Sequence, residues 1–168
     1  RIGMDISPAN PDFLYALVEA ENNKQGLYVS KNRGESWKKT NKYVTSGNYY
    51  QEVFCDPKDC NKVFFMDTWL HHTSDGGKTI TKTGEQNKHV DNHCIWVDPQ
   101  DTDHWIVGCD GGLYETWDHA DNWDFKSNLP ITQFYKVAVD NDFPFYNIYG
   151  GTQDNNSLGG PSRTITNH

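Results

Sequence analysis

Residues 73–84 read TSDGGKTITKTG. Gly76-Gly77 alone is a common turn signal, but Thr73, Asp75, Gly77 and Thr79 at alternate positions are more than a turn needs. The same arrangement stands upstream in SKNRGESW (30–37) and downstream in TWDHADNW (116–123). In register, the three copies align Ser30, Thr73 and Thr116; Asn32, Asp75 and Asp118; Gly34, Gly77 and Ala120; and Trp37, Ile80 and Trp123. The distance from Trp37 to Ile80, and from Ile80 to Trp123, is 43 residues. A second marker keeps nearly the same beat: ISP (6–8), CDP (55–57), VDP (97–99) and VDN (139–141) each end an apolar run. Asp56, Asp98 and Asp140 lie 42 residues apart, and Ser7 precedes Asp56 by 49, so the first repeat carries an insertion. A fixed period in this range means a solenoid, a propeller or an array.

The texture within one repeat selects among these. HCIWVDP, DHWIVGC, GLYET and WDFKSN, taken from residues 93–128, are short β-branched and aromatic runs separated by Asp, Gly, Pro and Asn. That is the pattern of consecutive antiparallel strands. No window carries the i, i+3, i+4, i+7 stripe of an amphipathic helix. Four strands per repeat of this length make the blade of a β-propeller. The fold class expected is therefore all-β, a propeller fragment of four-stranded antiparallel blades. The approximate blades are 1–45, 46–87, 88–130 and a partial 131–168, all part of one larger propeller.

The pattern Ser/Thr-x-Asp-x-Gly-x-Ser/Thr-Trp resembles the Asp-box of BNR-repeat propellers, a turn between the third and fourth strands of a blade. Such boxes occur in sialidases, xyloglucanase-type glycosidases and sortilin-like receptors. LYALVEA, GLYVSKNRGESW, HVDNHCIWVDP, CDGGLYE, FYKVAVDN and YGGTQDNNS resemble secreted microbial proteins described as sortilin-like or glycosyl-hydrolase-like. Ile80 departs from the usual Trp, and Ala120 from the usual Gly. The box residues Ser30, Asn32, Gly34, Trp37, Thr73, Asp75, Gly77, Thr116, Asp118 and Trp123 are expected to be structural. The Asp caps its own turn as an Asx-turn does, the Gly permits positive φ, and the Trp packs between sheets.

Composition sets further bounds. A formal charge of −8 over 168 residues argues against nucleic acid and anionic membranes as partners. The chain shows neither a transmembrane run nor a signal peptide. The four cysteines allow three pairings. The hairpin picture, with strands 92–97 and 104–109, sets Cys94 across from Cys109, while Cys55 and Cys60 flank the turn DPKD. Two such disulfides imply an oxidising compartment, so the protein is expected to be secreted, periplasmic or on the cell surface. Their spacing lacks paired C-x2-C units, which argues against zinc.

In a propeller the first strand of each blade lines the channel, and the end of the second lies beside its start. Stacking the repeats gathers Asp67, Trp69, His89, Asp91, His93, Asp110, Gln153, Asp154 and Asn155 at one channel mouth, with Tyr49, Gln51, Gln133 and Tyr135 nearby. The sharpest element is HVDNH: in an extended strand His89, Asp91 and His93 share a face. Two imidazoles and a carboxylate suit a divalent metal, acid–base chemistry, or a plain hydrogen-bonded rim. A metal is the single cofactor these residues suggest. Two functional classes follow. One is a binding or structural module holding a glycan, peptide or protein ligand beside the rest of its own propeller. The other is a glycoside hydrolase using the mouth carboxylates, which must stand about 5–9.5 Å apart. A sialidase also needs an arginine cluster, and the chain has only Arg1, Arg33 and Arg163.

Overall fold

The computed structural model describes residues 1–47, 49–129 and 131–163. Fifteen strands follow one another: β1 (Ile2–Ile6), β2 (Leu14–Val18), β3 (Gly26–Ser30), β4 (Lys38–Asn41), β5 (Val53–Cys55), β6 (Val63–Phe65), β7 (His71–Thr73), β8 (Thr81–Lys82), β9 (Asn92–Val97), β10 (Trp105–Cys109), β11 (Gly112–Thr116), β12 (Asp124–Phe125), β13 (Phe134–Val139), β14 (Asn147–Thr152) and β15 (Ser157–Pro161). Each sheet is an antiparallel meander in chain order: β1–β4, β5–β8, β9–β12 and the three-stranded β13–β15. No described residue is helical. The chain divides into two compact units, Arg1–Ser127 and Asn128–His168. The first holds the three four-stranded sheets; the second holds β13–β15.

Within the first unit, alternation along β6 shows how the sheets stack. Val63, Phe64 and Phe65 are all fully buried. Val63 and Phe65 join Tyr15, Leu17, Leu27, Val29 and Val53 in one core, and Phe64 joins Met66, Ile95, Val97, Trp105 and Val107 in the next. Side chains of a strand alternate faces, so a strand apolar at every position is sandwiched between two sheets. Each such side chain stabilises the fold by about 1.5–3 kcal/mol. On β1, Asp5 accepts a hydrogen bond from the Cys55 N–H at 2.7 Å, while Ile2, Met4 and Ile6 are 63, 62 and 54% exposed.

The boxed turns are one structure built three times, joining β3 to β4, β7 to β8 and β11 to β12. In the second, the Thr73 hydroxyl donates to Asp75 Oδ1 at 2.9 Å and accepts from the Gly77 N–H at 3.0 Å. Asp75 then accepts from the N–H groups of Lys78 and Thr79, both at 2.9 Å. Ser30 and Asn32 repeat these bonds to Gly34 and Ser36, and Thr116 and Asp118 repeat them to Ala120 and Asn122. The Thr79 backbone bond leads the effects that hold the Asp75 carboxyl down at about 2. The third box position is left-handed in all copies: Gly34 at φ 87°, Gly77 at 86° and Ala120 at 72°. Trp123 donates to Gly84 O at 2.9 Å and packs on the second core, and Ile80 packs on the first. Trp37 instead bonds back to Gly34 O and is 39% exposed. Intersheet packing therefore holds for two boxes and not for the first.

The aspartates that end the first strands are more than plain turn residues. Asp56 Oδ1 accepts from the N–H groups of Lys58 and Asp59, and Oδ2 meets the Lys62 ammonium at 3.4 Å. Asp98 likewise caps Gln100 and holds His104 at 3.1 Å; Asp140 caps Asp142 and holds the Asn147 side chain at 2.9 Å. In the first repeat Ser7 takes this place, with a fully buried hydroxyl that has no partner among the described residues.

The expected disulfides are corrected: all four cysteines are free thiols. The hairpin β9–β10 is one residue out from the expected register, so Cys94 faces Gly108. A bulge between Gly108 and Cys109 then pairs Cys109 with Asn92. The pairing therefore does not set Cys94 directly opposite Cys109. Cys55 lies buried in the first core, and burial, followed by the Asp5 carboxylate, pushes its thiol pKa up.

Candidate functional site: the acidic and aromatic rim

Because neighbouring strands are antiparallel, the ends of β6 and β10 lie beside the starts of β5 and β9. The boxed turns close the opposite ends of the sheets. At the first of these ends the structure joins residues from two sheets. His93 Nε2 lies 2.7 Å from Asp110 Oδ1. A carboxylate only accepts, so Nε2 carries the proton and donates it. The His93 and Asp110 side chains are 43 and 38% exposed. The Tyr50 ring stacks on His93, with centroids 5.6 Å apart and planes 20° apart, and its hydroxyl donates to Asp91 Oδ1 at 2.7 Å. Burial, and then that bond, push the Tyr50 pKa up to about 12. The Asp110 N–H donates to Asp91 O at 3.2 Å, and the Asp91 N–H to Thr68 O at 2.9 Å.

Asp67, two residues past β6, closes the group. It is buried, and its carboxylate accepts from the N–H groups of Ser46 at 3.1 Å and Thr68 at 2.8 Å and from the Tyr43 hydroxyl at 3.4 Å. Burial, with the Asp67 charge behind it, pushes the Tyr43 pKa up. Trp69 stays half-exposed, with the Lys82 ammonium 3.1 Å from its ring centroid. Tyr49 is largely exposed.

The expected trio His89, Asp91 and His93 does not form. Strand β9 begins only at Asn92, and Asp91 has a left-handed φ of 62°. The kink breaks the alternation that would have aligned the three side chains. His89 turns its Nδ1–H to Val90 O at 2.8 Å. It lies against Gly111, where a Cβ would collide with its ring. Among the described residues no three His, Cys, Asp or Glu side chains converge to hold a metal. His93 takes its carboxylate from Asp110, the residue after β10, instead.

Gln153, Asp154 and Asn155 lie in the second unit, in the turn from β14 to β15. The Gln153 side-chain amide donates to Asp154, and Asn155 Nδ2 to Gln153 O at 3.2 Å. The Gln153 N–H donates to Gln133 O at 2.8 Å, and Tyr135 is exposed on β13. His71 and His72 work apart, one bonding Trp69 O and the other Thr83 Oγ1.

Sequence reasoning missed Tyr50, placing Tyr49 and Gln51 at the rim in its stead. Gln51 has a left-handed φ of 98°, and this second kink shifts the face count by one. It also missed Glu85, Lys88 and Asn92, which lie beneath the rim.

No family model and no curated protein matches the chain. Solved structures do resemble it. The GH74 xyloglucanase from Xanthomonas campestris superposes with a TM-score of 0.55 at 18% identity, over 95% of this chain and 28% of that one. YCF48 from Cyanidioschyzon merolae gives 0.55 at 12%, over 97% of this chain and 56% of that one. YCF48 bound to D1 peptide gives 0.53 at 16%, over 98% and 54%. The chain is a β-propeller fragment. It spans about a quarter to a half of the length of these structures, and at such identities the likeness is one of fold.

Proposed function

We propose that residues 1–168 are part of one larger Asp-box propeller of the BNR type, with approximate blades 1–45, 46–87, 88–130 and a partial 131–168. It acts as a binding or structural module. The rim of Tyr50, Trp69, Asp91, His93 and Asp110 receives a glycan, peptide or protein ligand. One observation carries this reading. The rim exposes aromatic and polar surface, yet its carboxylates are already engaged: Asp91 by Tyr50, Asp110 by His93, and Asp67 by Tyr43 and two backbone N–H groups. A glycosidase needs one carboxylate free to protonate the leaving group and another to face the sugar. Engaged carboxylates suit recognition better than turnover. The exposed apolar row Ile2, Met4 and Ile6 supports the rest of the propeller as a partner, because apolar surface of this kind is what a neighbouring sheet buries in the two cores described.

Both ligand chemistries have precedent in the fold, in a xyloglucanase and in a protein bound to a peptide. The secreted, periplasmic or surface location expected from two disulfides loses that support with four free thiols, and only the resemblance to secreted sortilin-like proteins still speaks for it. The acidic charge disfavours nucleic acid, and among the described residues no helix is long and apolar enough to cross a membrane. The test is a panel of polysaccharides, xyloglucan included, and of synthetic peptides, presented to the full-length protein. Binding that His93→Gln and Asp110→Asn abolish, without release of reducing sugar, supports the module. Release of reducing sugar that either substitution stops would establish the hydrolase.

A further inference from the structure

Lys88 stands in the polar loop GEQNKHV, where a solvated lysine is the ordinary expectation. Its side chain is fully buried, and that of Glu85 is 1% exposed. An ammonium has three donors and no acceptor, and all three are used. Lys88 Nζ donates to Glu85 Oε1 at 2.9 Å, to His89 O at 2.8 Å and to Asn92 Oδ1. Its Nζ lies over the rings of Tyr114 and Trp123, 5.8 and 5.3 Å from their centroids.

The partners of that cation reach further. Glu85 Oε2 accepts from the Leu70 N–H at 3.0 Å. Asn92, itself fully buried, donates from Nδ2 to Asp67 O at 3.2 Å and to Glu85 Oε1 at 2.9 Å, and from its N–H to Asp67 O at 3.0 Å. One cation therefore ties together the stretches 67–70, 85–89 and 91–93. These stretches hold Asp67, Trp69, His89, Asp91 and His93. Two of the three groups Lys88 grips directly, the His89 carbonyl and the Asn92 amide, flank the left-handed Asp91. That kink delivers the Asp91 carboxylate to Tyr50 and leaves His93 to Asp110.

We infer that Lys88 is the positioning residue of the rim, a buried lock that sets the Asp91 kink and thereby the His93–Asp110 pair. The inference rests on the rim being the binding site. Removing one member of a buried ion pair leaves the other charge uncompensated, so Lys88→Met alone would confuse positioning with folding. The double variant Lys88→Met/Glu85→Gln removes both charges. Its readout is the His93 ring in the full-length protein labelled with 15N-histidine, assigned by the signal lost in His93→Gln. The expected result is exchange of the Nε2 proton at least about tenfold faster than in the parent, while the His104 ring at the far end of the same sheet keeps its shifts. An unchanged His93 proton beside an unchanged His104 would overturn the inference. Should the double variant fail to fold, the unsubstituted protein decides. The amides of Leu70, Asp91 and Asn92 should then exchange at a common rate, and a spread beyond about tenfold would sink the single lock. Neither readout involves a ligand, so failure of the lock and failure of the binding reading are separate results.

Discussion

Substituting the third box position in all three repeats separates backbone strain from packing. Gly34, Gly77 and Ala120 share a left-handed φ within 72–87°, but their surroundings differ. A Cβ on Gly34 would meet nothing nearer than the Trp37 ring at 3.8 Å, an ordinary contact. On Gly77 it would meet Leu27 Cδ2 at 2.6 Å and Thr40 Oγ1 at 2.9 Å. Left-handed backbone costs a residue bearing a Cβ roughly 1–2 kcal/mol, and the smaller entropy of unfolded alanine returns roughly 0.4–1. Gly34→Ala should therefore destabilise by about 1 kcal/mol. Gly77→Ala carries that same cost plus an overpacking cost of about 1–3 kcal/mol, for a total of roughly 2–4. Ala120→Gly relieves the backbone but gives up the unfolded-state advantage and a buried methyl worth about 0.8 kcal/mol, so its net effect should lie within about 1 kcal/mol of zero. Equilibrium denaturation in urea gives all three values, and each kcal/mol should move the melting temperature by about 2–4 °C for a chain of this size. Equal costs at Gly34 and Gly77 would refute the reasoning, because they would mean that Leu27 and Thr40 do not matter.

Two further outcomes are expected. The His104 imidazole lies stacked 3.5 Å from Trp117 and edge-on to Trp96, with one nitrogen on Asp98 and the other 2.8 Å from Glu115, which also pairs with Lys126. Burial pulls its pKa down, but Glu115 and Asp98 together raise it above the ordinary value. Its stabilising effect should be complete below the unfolded value of about 6.5 and fade as the pH climbs through the raised folded value. Urea midpoints from pH 5 to 9 should show that loss in the parent, and it should shrink in His104→Gln; an identical slope in both would refute the assignment. Ser7→Ala should change stability by less than about 0.5 kcal/mol, since its hydroxyl has no partner to lose, whereas Thr73→Ala should cost about 1–3 kcal/mol by orphaning the Gly77 N–H. A cost at Ser7 equal to that at Thr73 would mean the buried hydroxyl has a partner.

The boxed turns were legible because everything that makes them is local. Donor and acceptor lie within four residues of each other, so a side-chain pattern at fixed spacing specifies the whole turn, and its recurrence specifies the blades. The same holds for the aspartates 56, 98 and 140, whose capping bonds span two or three residues. The rim was legible as a region, because strand ends follow from the count of strands, but not as a set of contacts. Facing across a strand depends on an unbroken period of two. Gln51, Asp91 and the bulge after Gly108 each break it. The kinks moved Tyr50 onto His93 and turned His89 away, while a one-residue change of register in the β9–β10 hairpin set Cys94 against Gly108 and not Cys109. Lys88 was hidden for a related reason. Nothing in GEQNKHV marks a buried cation, because its burial comes from Tyr114 and Trp123, 26 and 35 residues further on. Local chemistry specifies turns and strands. Which side chains meet at their ends is settled by kinks and by packing across sheets, and those forces act between residues that no short pattern links.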